Sequence, residues 1–355
     1  MRDVRDDLTD DHREEMERRP PVPADAPVEV RIALPEDAEA LAHCFVHTYG
    51  ATYIHDWAYR PDEIRRRWDD RVMVSVVGVS GEGEIVGHYA VDFDRPDAKV
   101  GEAGQAVVDP RWRGHHVFES MTTSLASWAK EQGLQGLYCE ATAAHPYSQR
   151  GELAVGGHET GFLIGYIPSG LDYKDISSGA ERHRGTAALM YLRTGEERQR
   201  VVHVPEPFRD ITSRVYANGS FRRDLGSGEG GAETAGTVLA ATFQPDFRAA
   251  MLRAEHLGSD FHAVVECELT RLVAQDVDCV YLDLPVSDPT VALHGGDLAD
   301  LGFFFSCIIP ELRDDGDLLR LQLLNGVDPH IEEIATASDF GKALLQAIVA
   351  SMPSA

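Results

Sequence analysis

The chain of 355 residues reads as a mixed α/β protein, with a partly antiparallel sheet flanked by helices. Short β-branched runs alternate with amphipathic helical stretches in the order β, α, β, β, β, α, β, which a repeating βαβ array would not give. A weaker copy of the same order follows it. No apolar run approaches the roughly 20 residues that a membrane span requires, so these elements must build water-facing cores.

The opening stretch, "MRDVRDDLTDDHREEMERRPPVPADAP", is dense in charge and proline. It is expected to form a disordered acidic arm over residues 1–27, and it has no apolar core of a secretory signal or anchor. "VEVRIALPEDAEALAHCFVHTY" then gives a strand and a helix opened by Pro-Glu-Asp. "RVMVSVVGVSGEGEIVGHYAVDF" is a β-hairpin, two β-branched runs around a glycine turn. "GEAGQAVVDP" is a further strand. In "HVFESMTTSLASWAKEQG", Val117, Met121, Leu125 and Trp128 fall at helical spacing and Gly133 ends the helix. "LQGLYCEAT" is a strand, "HPYSQRGELAVGGHETGFLIGYIP" a short helix, a turn and a strand, and "TAALMYLRT" one strand more.

Near Val201 the pattern restarts, because "HVPEPFRDITSRVY" echoes "ALPEDAEALAHCFVHTY". "FESMTTSLASWAKEQGLQGLY" at 118–138 lies without gaps over "FHAVVECELTRLVAQDVDCVY" at 261–281, an offset of 281 − 138 = 143. The same offset pairs Glu140 with Asp283 and Pro146 with Pro289, and a two-residue deletion brings "GFLIG" onto "GFFFS". These echoes suggest a divergent tandem duplication, 28–195 followed by 196–355. The glycine-rich stretch at 225–236 follows no β-branched strand and reads as a surface connection.

Composition narrows the partners. With 33 basic against 59 acidic residues and a formal charge of −26, general nucleic-acid binding is not expected. Five cysteines at 44, 139, 267, 279 and 307, without CxxC spacing, read as buried free thiols in a reducing cytoplasm. No metal site is expected, and a homodimer is allowed.

The chemistry concentrates in "VVDPRWRGHHVF", between a strand and an amphipathic helix. Gly114 lets the backbone turn close to a ligand, and amides from Arg113 to Val117 at a helix N-terminus can donate to a pyrophosphate. Arg111 and Arg113 add positive charge. This stretch resembles the acetyl-CoA loop of the GCN5-related N-acetyltransferases (GNAT), Q/R-x-x-G-x-G/A, with Arg111 and Gly114 matching and His116 departing from the third position. The resemblance covers about residues 28–195. It implies a tandem pair of GNAT-like domains, of which 28–195 binds acetyl-CoA as co-substrate and catalyses, while 196–355 lacks the loop motif. There "AEHLGSD" stands opposite the cradle, and Ala254 replaces Arg111. The resemblance also implies that Arg111, Arg113, Gly114, His115, His116, Val117 and Phe118 surround the cofactor. Val108 and its neighbours would pair with the pantetheine arm through their backbone.

Amine acetylation needs a base for the ammonium and an acid for the departing thiolate. Glu102, on the strand before the loop and sharing parity with Gly104, Ala106 and Val108, is the first candidate base. Glu140 lies mid-strand, either as a base or as the partner of an arginine or helix end. The family's usual tyrosine position holds Glu152, so His145 and Tyr147 stand as substitute acids, with Ser148 beside them for pantetheine. Tyr49, Tyr53, Asp56 and Tyr59 offer aromatic walls and a carboxylate for a small amine, or else a helix-packing cluster. The expected activity is acetyl transfer to a small-molecule amine. A ligand sensor or interaction protein without catalysis, and an aminoacyl-tRNA-dependent transferase, are the alternatives.

Overall fold

The computed structural model describes residues 2–7, 22–169, 183–228 and 236–353. Most of the glycine-rich connection, and residues 8–21 of the expected arm, lie outside the described residues. The chain forms two compact units, one running to Leu137 and the other beginning at Tyr138. The boundary at 195/196 drawn from the internal echo therefore falls inside the second unit.

In the first unit, β1 (Val28–Ile32), β2 (Met73–Ser80), β3 (Ile85–Asp92) and β4 (Val100–Val108) make an antiparallel sheet in that order. Helix α1 (Ala38–Tyr49) buries Leu41, Ala42, Phe45 and Val46, and α2 (Pro61–Asp69) buries Ile64. The sequence reading omitted α2, although Pro61 at its start and acidic residues in its first turn are ordinary opening signals. Helix α3 (Val117–Glu131) turns Val117, Met121 and Leu125 inward, as the spacing predicts. It comes close to the sheet because Gly78 and Gly87 carry no side chain: a Cβ on Gly87 would stand 2.7 Å from Val117 Cγ1.

Residues 2–7 correct the expectation of disorder at the N-terminus. Val4 is fully buried among Leu41, Phe45 and Tyr59, and Val4–Asp7 is a 3₁₀ turn. Arg5 donates to Asp3 and to Asp56 at 2.8 Å and lies over the Tyr59 ring. One apolar residue suffices to hold the turn, and the surrounding charge hid it from composition.

A fully buried histidine fixes the middle of this sheet. His88 Nδ1 lies 2.9 Å from the Gln105 carbonyl, which can only accept, so that nitrogen carries the proton. Its Nε2 then accepts from Ser75 Oγ at 2.8 Å, and Ser75 accepts from Trp68 Nε1 at 3.0 Å. Burial pushes the His88 pKa down from 6.5 to about 4, so the ring is neutral. The unfolded chain takes up a proton as pH falls through about 6.5, whereas the folded chain does so only near 4. Stability is therefore complete above pH 6.5, drains away below it and levels off near 4. Between pH 7 and 5 this residue accounts for about 2 kcal/mol. Urea midpoints at the two pH values should show that extra drop in the wild type and lack it in His88→Gln.

In the second unit the strands are β5 (Gly136–Thr142), β6 (His158–Ile167), β7 (Gly185–Arg193), β10 (Val238–Gln244), β11 (Ala249–His256), β12 (Cys279–Pro285), β13 (Phe304–Arg313) and β14 (Gly316–Leu324), with β8 (Arg200–Val202) and β9 (Arg223–Leu225) in a separate parallel pair. Their order in the large sheet is β5-β7-β6-β13-β14-β12-β11-β10. Outward from the β6/β13 junction the order is β6, β7, β5 on one side and β13, β14, β12 on the other. The echo in sequence thus pairs strands in equivalent places: β5 with β12, and β6 with β13. Helices α4 (Tyr147–Ala154), α5 (Arg209–Asn218), α6 (Phe261–Val273), α7 (Gly295–Asp300) and α8 (Asp339–Ala350) accompany them. Of the five thiols, Cys267 is exposed, because its helix turns it outward, and the other four are buried.

Candidate active site

In the first unit the loop after β4 leads through a short 3₁₀ turn into helix α3. Asp109 accepts the Arg111 amide at 2.9 Å and so starts a 3₁₀ turn, Pro110–Trp112. Trp112 is buried, with the His115 ring 5.4 Å away. Gly114 has φ 81 and His116, the N-cap of α3, φ 58, both left-handed. At Gly114 the conformation is free of cost, whereas at His116 it costs about 1–2 kcal/mol. The His116 imidazole does not fill the loop. It turns outward, with Nδ1 2.6 Å from Glu119 Oε2. The amides of Arg113 and His115 donate within the loop at 3.3 Å, to Pro110 and Trp112, and the Ser120 amide donates to the His116 carbonyl at 3.0 Å, so that Val117, Phe118 and Glu119 supply the amides that open the helix. Val117 is buried, and the Phe118 ring lies against Tyr89 at 5.5 Å.

Arg111 departs from its expected role. Its guanidinium donates to Asp109 Oδ2 at 2.6 Å and to Glu84 Oε1 at 2.9 Å. Those bonds raise its pKa, Asp109 first, and occupy its charge inside the loop. Arg111 thus braces the loop from inside, and its guanidinium is taken up by two carboxylates. His115 is likewise tied by Nε2 to the Pro23 carbonyl at 3.0 Å.

The strand before the loop is not regular. Gln105 has φ 52, and the register slips between the pairs Gly104–Ala90 and Val107–His88, a β-bulge. The expected shared face of Glu102, Gly104, Ala106 and Val108 is therefore broken. Glu102 and Gly104 share a face, and after the bulge it is Val107 that continues it, while Val108 turns to the other side. Val108 keeps its backbone place opposite Gly87. Glu102 sits directly across from Asp92.

Asp92 was not singled out by the sequence, because a carboxylate at a strand end is common. Gln105 Nε2 donates to its Oδ2 at 2.7 Å, and Arg67 Nη1 lies 3.7 Å from its Oδ1. Burial raises its pKa, against the lowering by Arg67 and Gln105. Tyr53 is nearby: burial, then the neighbouring Tyr49, Asp92, Tyr59 and Glu102, push its phenol well above the ordinary value. The rings of Tyr49 and Tyr53 are 4.9 Å apart. The other two residues proposed for the acceptor do different work. Tyr59 is fully buried with its hydroxyl accepting the Tyr53 amide at 2.8 Å, and Asp56 is an exposed partner of Arg5 and Arg60.

In the second unit, Glu140 on β5 lies 3.8 Å from Arg320 Nη1, and Arg320 holds Asp283 by two bonds of 2.8 and 3.0 Å. Burial raises the Glu140 pKa, although Arg320 and a hydrogen bond from Tyr166 oppose the rise. Of the two roles open to Glu140, the arginine partner is the one that this geometry supplies. Glu140 and Asp283, which the internal echo in sequence aligns, thus meet one guanidinium. Replacing Arg320 by methionine leaves two carboxylates without their cation and should cost about 3–5 kcal/mol in a urea titration. Replacing Arg320 and Asp283 together by apolar residues should return part of that loss.

His145, whose pKa burial lowers, has its ring 5.0 Å from that of Tyr147, which is 62% exposed. Ser148 is half-buried in the first turn of α4. Beside it Gln149, unremarked as a structural residue by the sequence, is fully buried and binds the backbone of Ala335 and Ala337. Before α6, Thr237 Oγ1 accepts the Gly258 amide and the Thr237 amide donates to Asp260, so a carboxylate stands at the N-terminus of that helix.

Residues 38–150 match the family described as "Acetyltransferase (GNAT) family". No curated protein matches the chain. Similar solved structures include a phosphinothricin acetyltransferase from Sinorhizobium meliloti in complex with AcCoA, 16% identical, covering 48% of this chain and 89% of that one at a TM-score of 0.38. Another is the ribosomal-protein-S18-alanine N-acetyltransferase of Escherichia coli, 13% identical, with coverages of 48% and 97% and a TM-score of 0.38. An N-acetyltransferase from Staphylococcus aureus Mu50 is 20% identical, with coverages of 48% and 99% and a TM-score of 0.36. The match to the GNAT acetyltransferase family at residues 38–150 takes in the bulged strand, the whole loop from Asp109 to Val117 and the helix it opens.

Proposed function

We propose that the chain transfers the acetyl group of acetyl-CoA directly to the amine of a small molecule, and that it is a tandem protein whose first copy, 28–195, catalyses while the second, 196–355, has lost the cofactor loop. The observation that carries this is the loop at 109–118 within a GNAT domain. Its left-handed Gly114 and His116 turn the chain so that helix-opening amides face one side, where a pyrophosphate is stabilised by N–H groups and the helix dipole. The acidic Asp260 at the equivalent loop supports the loss in the second copy.

In this reading, Glu102 takes a proton from the ammonium, directly or through water. The neutral amine nitrogen then bonds to the thioester carbon, the adduct nitrogen gives up one further proton, and the C–S bond breaks as the thiolate leaves and takes up a proton, so that amide and thiol result. His145 and Tyr147 remain the candidates for that acid. Among the described residues no helix is long and apolar enough to cross a membrane.

The test is acetyl-CoA with a panel of small amines, followed by release of CoA thiol. Turnover is expected with at least one amine, and Glu102→Gln should lower kcat by about 10²–10⁴-fold. Thiol release from no amine, or turnover unchanged in Glu102→Gln, would contradict the reading or its base.

A further inference from the structure

Among the described residues of the first unit, four side-chain atoms are buried without any hydrogen-bond partner: Trp112 Nε1 in the loop after β4, and the three that matter here, Arg67 Nε, Asp92 Oδ1 and Gln105 Oε1. They come from three elements, α2, β3 and β4, yet belong to one connected group, since Gln105 Nε2 donates to Asp92 Oδ2 and Arg67 Nη1 stands 3.7 Å from Asp92 Oδ1. Buried polar atoms are rarely left unpaired, because each forfeits the hydrogen bonds that it made to water. The amide of Gln105 cannot relieve this by turning over, for its oxygen would then face the carboxylate of Asp92.

The orientation of this group is enforced from behind. The bulge that turns Gln105 toward Asp92 is held by the proton on His88 Nδ1, and His88 is held in turn by Ser75 and Trp68. Arg67 is fixed by its guanidinium lying 4.6 Å over the Trp57 ring. Tyr53 is close enough for the Asp92 charge to raise its pKa. Two acceptors and one donor without a hydrogen bond, locked by their surroundings, describe the complement of a ligand with a cationic N–H donor and an adjacent oxygen.

We propose that Asp92 Oδ1 and Gln105 Oε1 receive the ammonium of the acceptor, and that Arg67 Nε donates to an oxygen on a neighbouring carbon, so that the acceptor is a 1,2-amino alcohol or an amino acid derivative. This rests on the acetyltransferase reading and names its substrate class. Glu102, opposite Asp92, is the carboxylate across the strand pair from that ammonium.

Binding is measured apart from turnover, by NMR titration of the full-length protein with ethanolamine, ethylamine and ethylene glycol. Ethanolamine should bind more tightly than either of the others. Asp92→Asn should weaken it by about tenfold or more, a loss of one charge-assisted contact. Arg67→Met should abolish the preference for ethanolamine over ethylamine. Melting curves check that the Asp92→Asn and Arg67→Met variants fold, and Gln105→Met provides a further variant with the same expected weakening. If the wild type binds no probe, or binds ethanolamine as well after Asp92→Asn and Gln105→Met, the three atoms hold water and the proposal fails. If ethanolamine binds as expected but acetyl-CoA does not, the site stands and the transferase reading falls.

Discussion

Gly161→Val is expected to unfold the second unit. A Cβ at position 161 would stand 2.1 Å from the Ser306 carbonyl oxygen and 2.3–2.4 Å from Cys307 Cβ and Cα. Two of those atoms are backbone, so no rotamer change relieves the overlap. The strands themselves must part. Strands β6 and β13 pair there, Gly161 opposite Cys307, and buried side chains lock the seam: Ser306 Oγ donates to the Phe162 carbonyl at 3.0 Å, and Gln322 Oε1 accepts the Ile164 amide at 3.0 Å. Separation would strand all of these groups. Overpacking and buried unpaired polar groups together should exceed about 4 kcal/mol, and even Gly161→Ala should cost about 3 kcal/mol. Equilibrium urea unfolding followed by circular dichroism measures both. A loss below 1 kcal/mol for valine would mean that β6 and β13 do not approach as described.

The second large effect concerns ligand binding and leaves the fold intact. Gly114 has open space around it, with nothing within 4 Å of an added Cβ, but its φ of 81 disfavours any L side chain. Gly114→Ala should therefore cost only about 1–2 kcal/mol of stability, from backbone strain alone. Gly114→Glu carries the same strain together with a negative charge on the side of the loop assigned to a pyrophosphate. Its affinity for acetyl-CoA should fall by at least about 100-fold, while its melting temperature follows that of the alanine variant. The alanine variant separates the two causes: if it also loses affinity 100-fold, the backbone conformation alone, and not charge, governs the cradle.

The regular elements were legible because apolar spacing reports directly on which face is buried. The helix from Val117 and the hairpin around Gly81–Gly83 follow from it, and so do the strands on either side of the internal echo. What escaped was local. A bulge at Gln105 leaves no mark on composition, since glutamine is not a residue that requires positive φ, and it reversed the parity on which the faces of Ala106 and Val108 were assigned. The burial of Val4 escaped because one apolar residue in a charged stretch has no period. At the candidate site, RxxG could be read as a cradle, but the capture of Arg111 by Asp109 and Glu84 depends on a residue 27 positions away. Asp92 and Gln105 escaped for the same reason: their significance comes from each other and from His88 behind them, across strands, and not from neighbours in sequence.

The central claim is that the loop at 109–118 binds acetyl-CoA. Calorimetric titration of acetyl-CoA into the full-length protein, alongside Gly114→Ala and Gly114→Glu, tests it most directly. The account predicts binding near one equivalent in the wild type, retained within a few fold by alanine and lost with glutamate. Absence of heat and of thermal stabilisation in the wild type, or undiminished binding by Gly114→Glu, would contradict it.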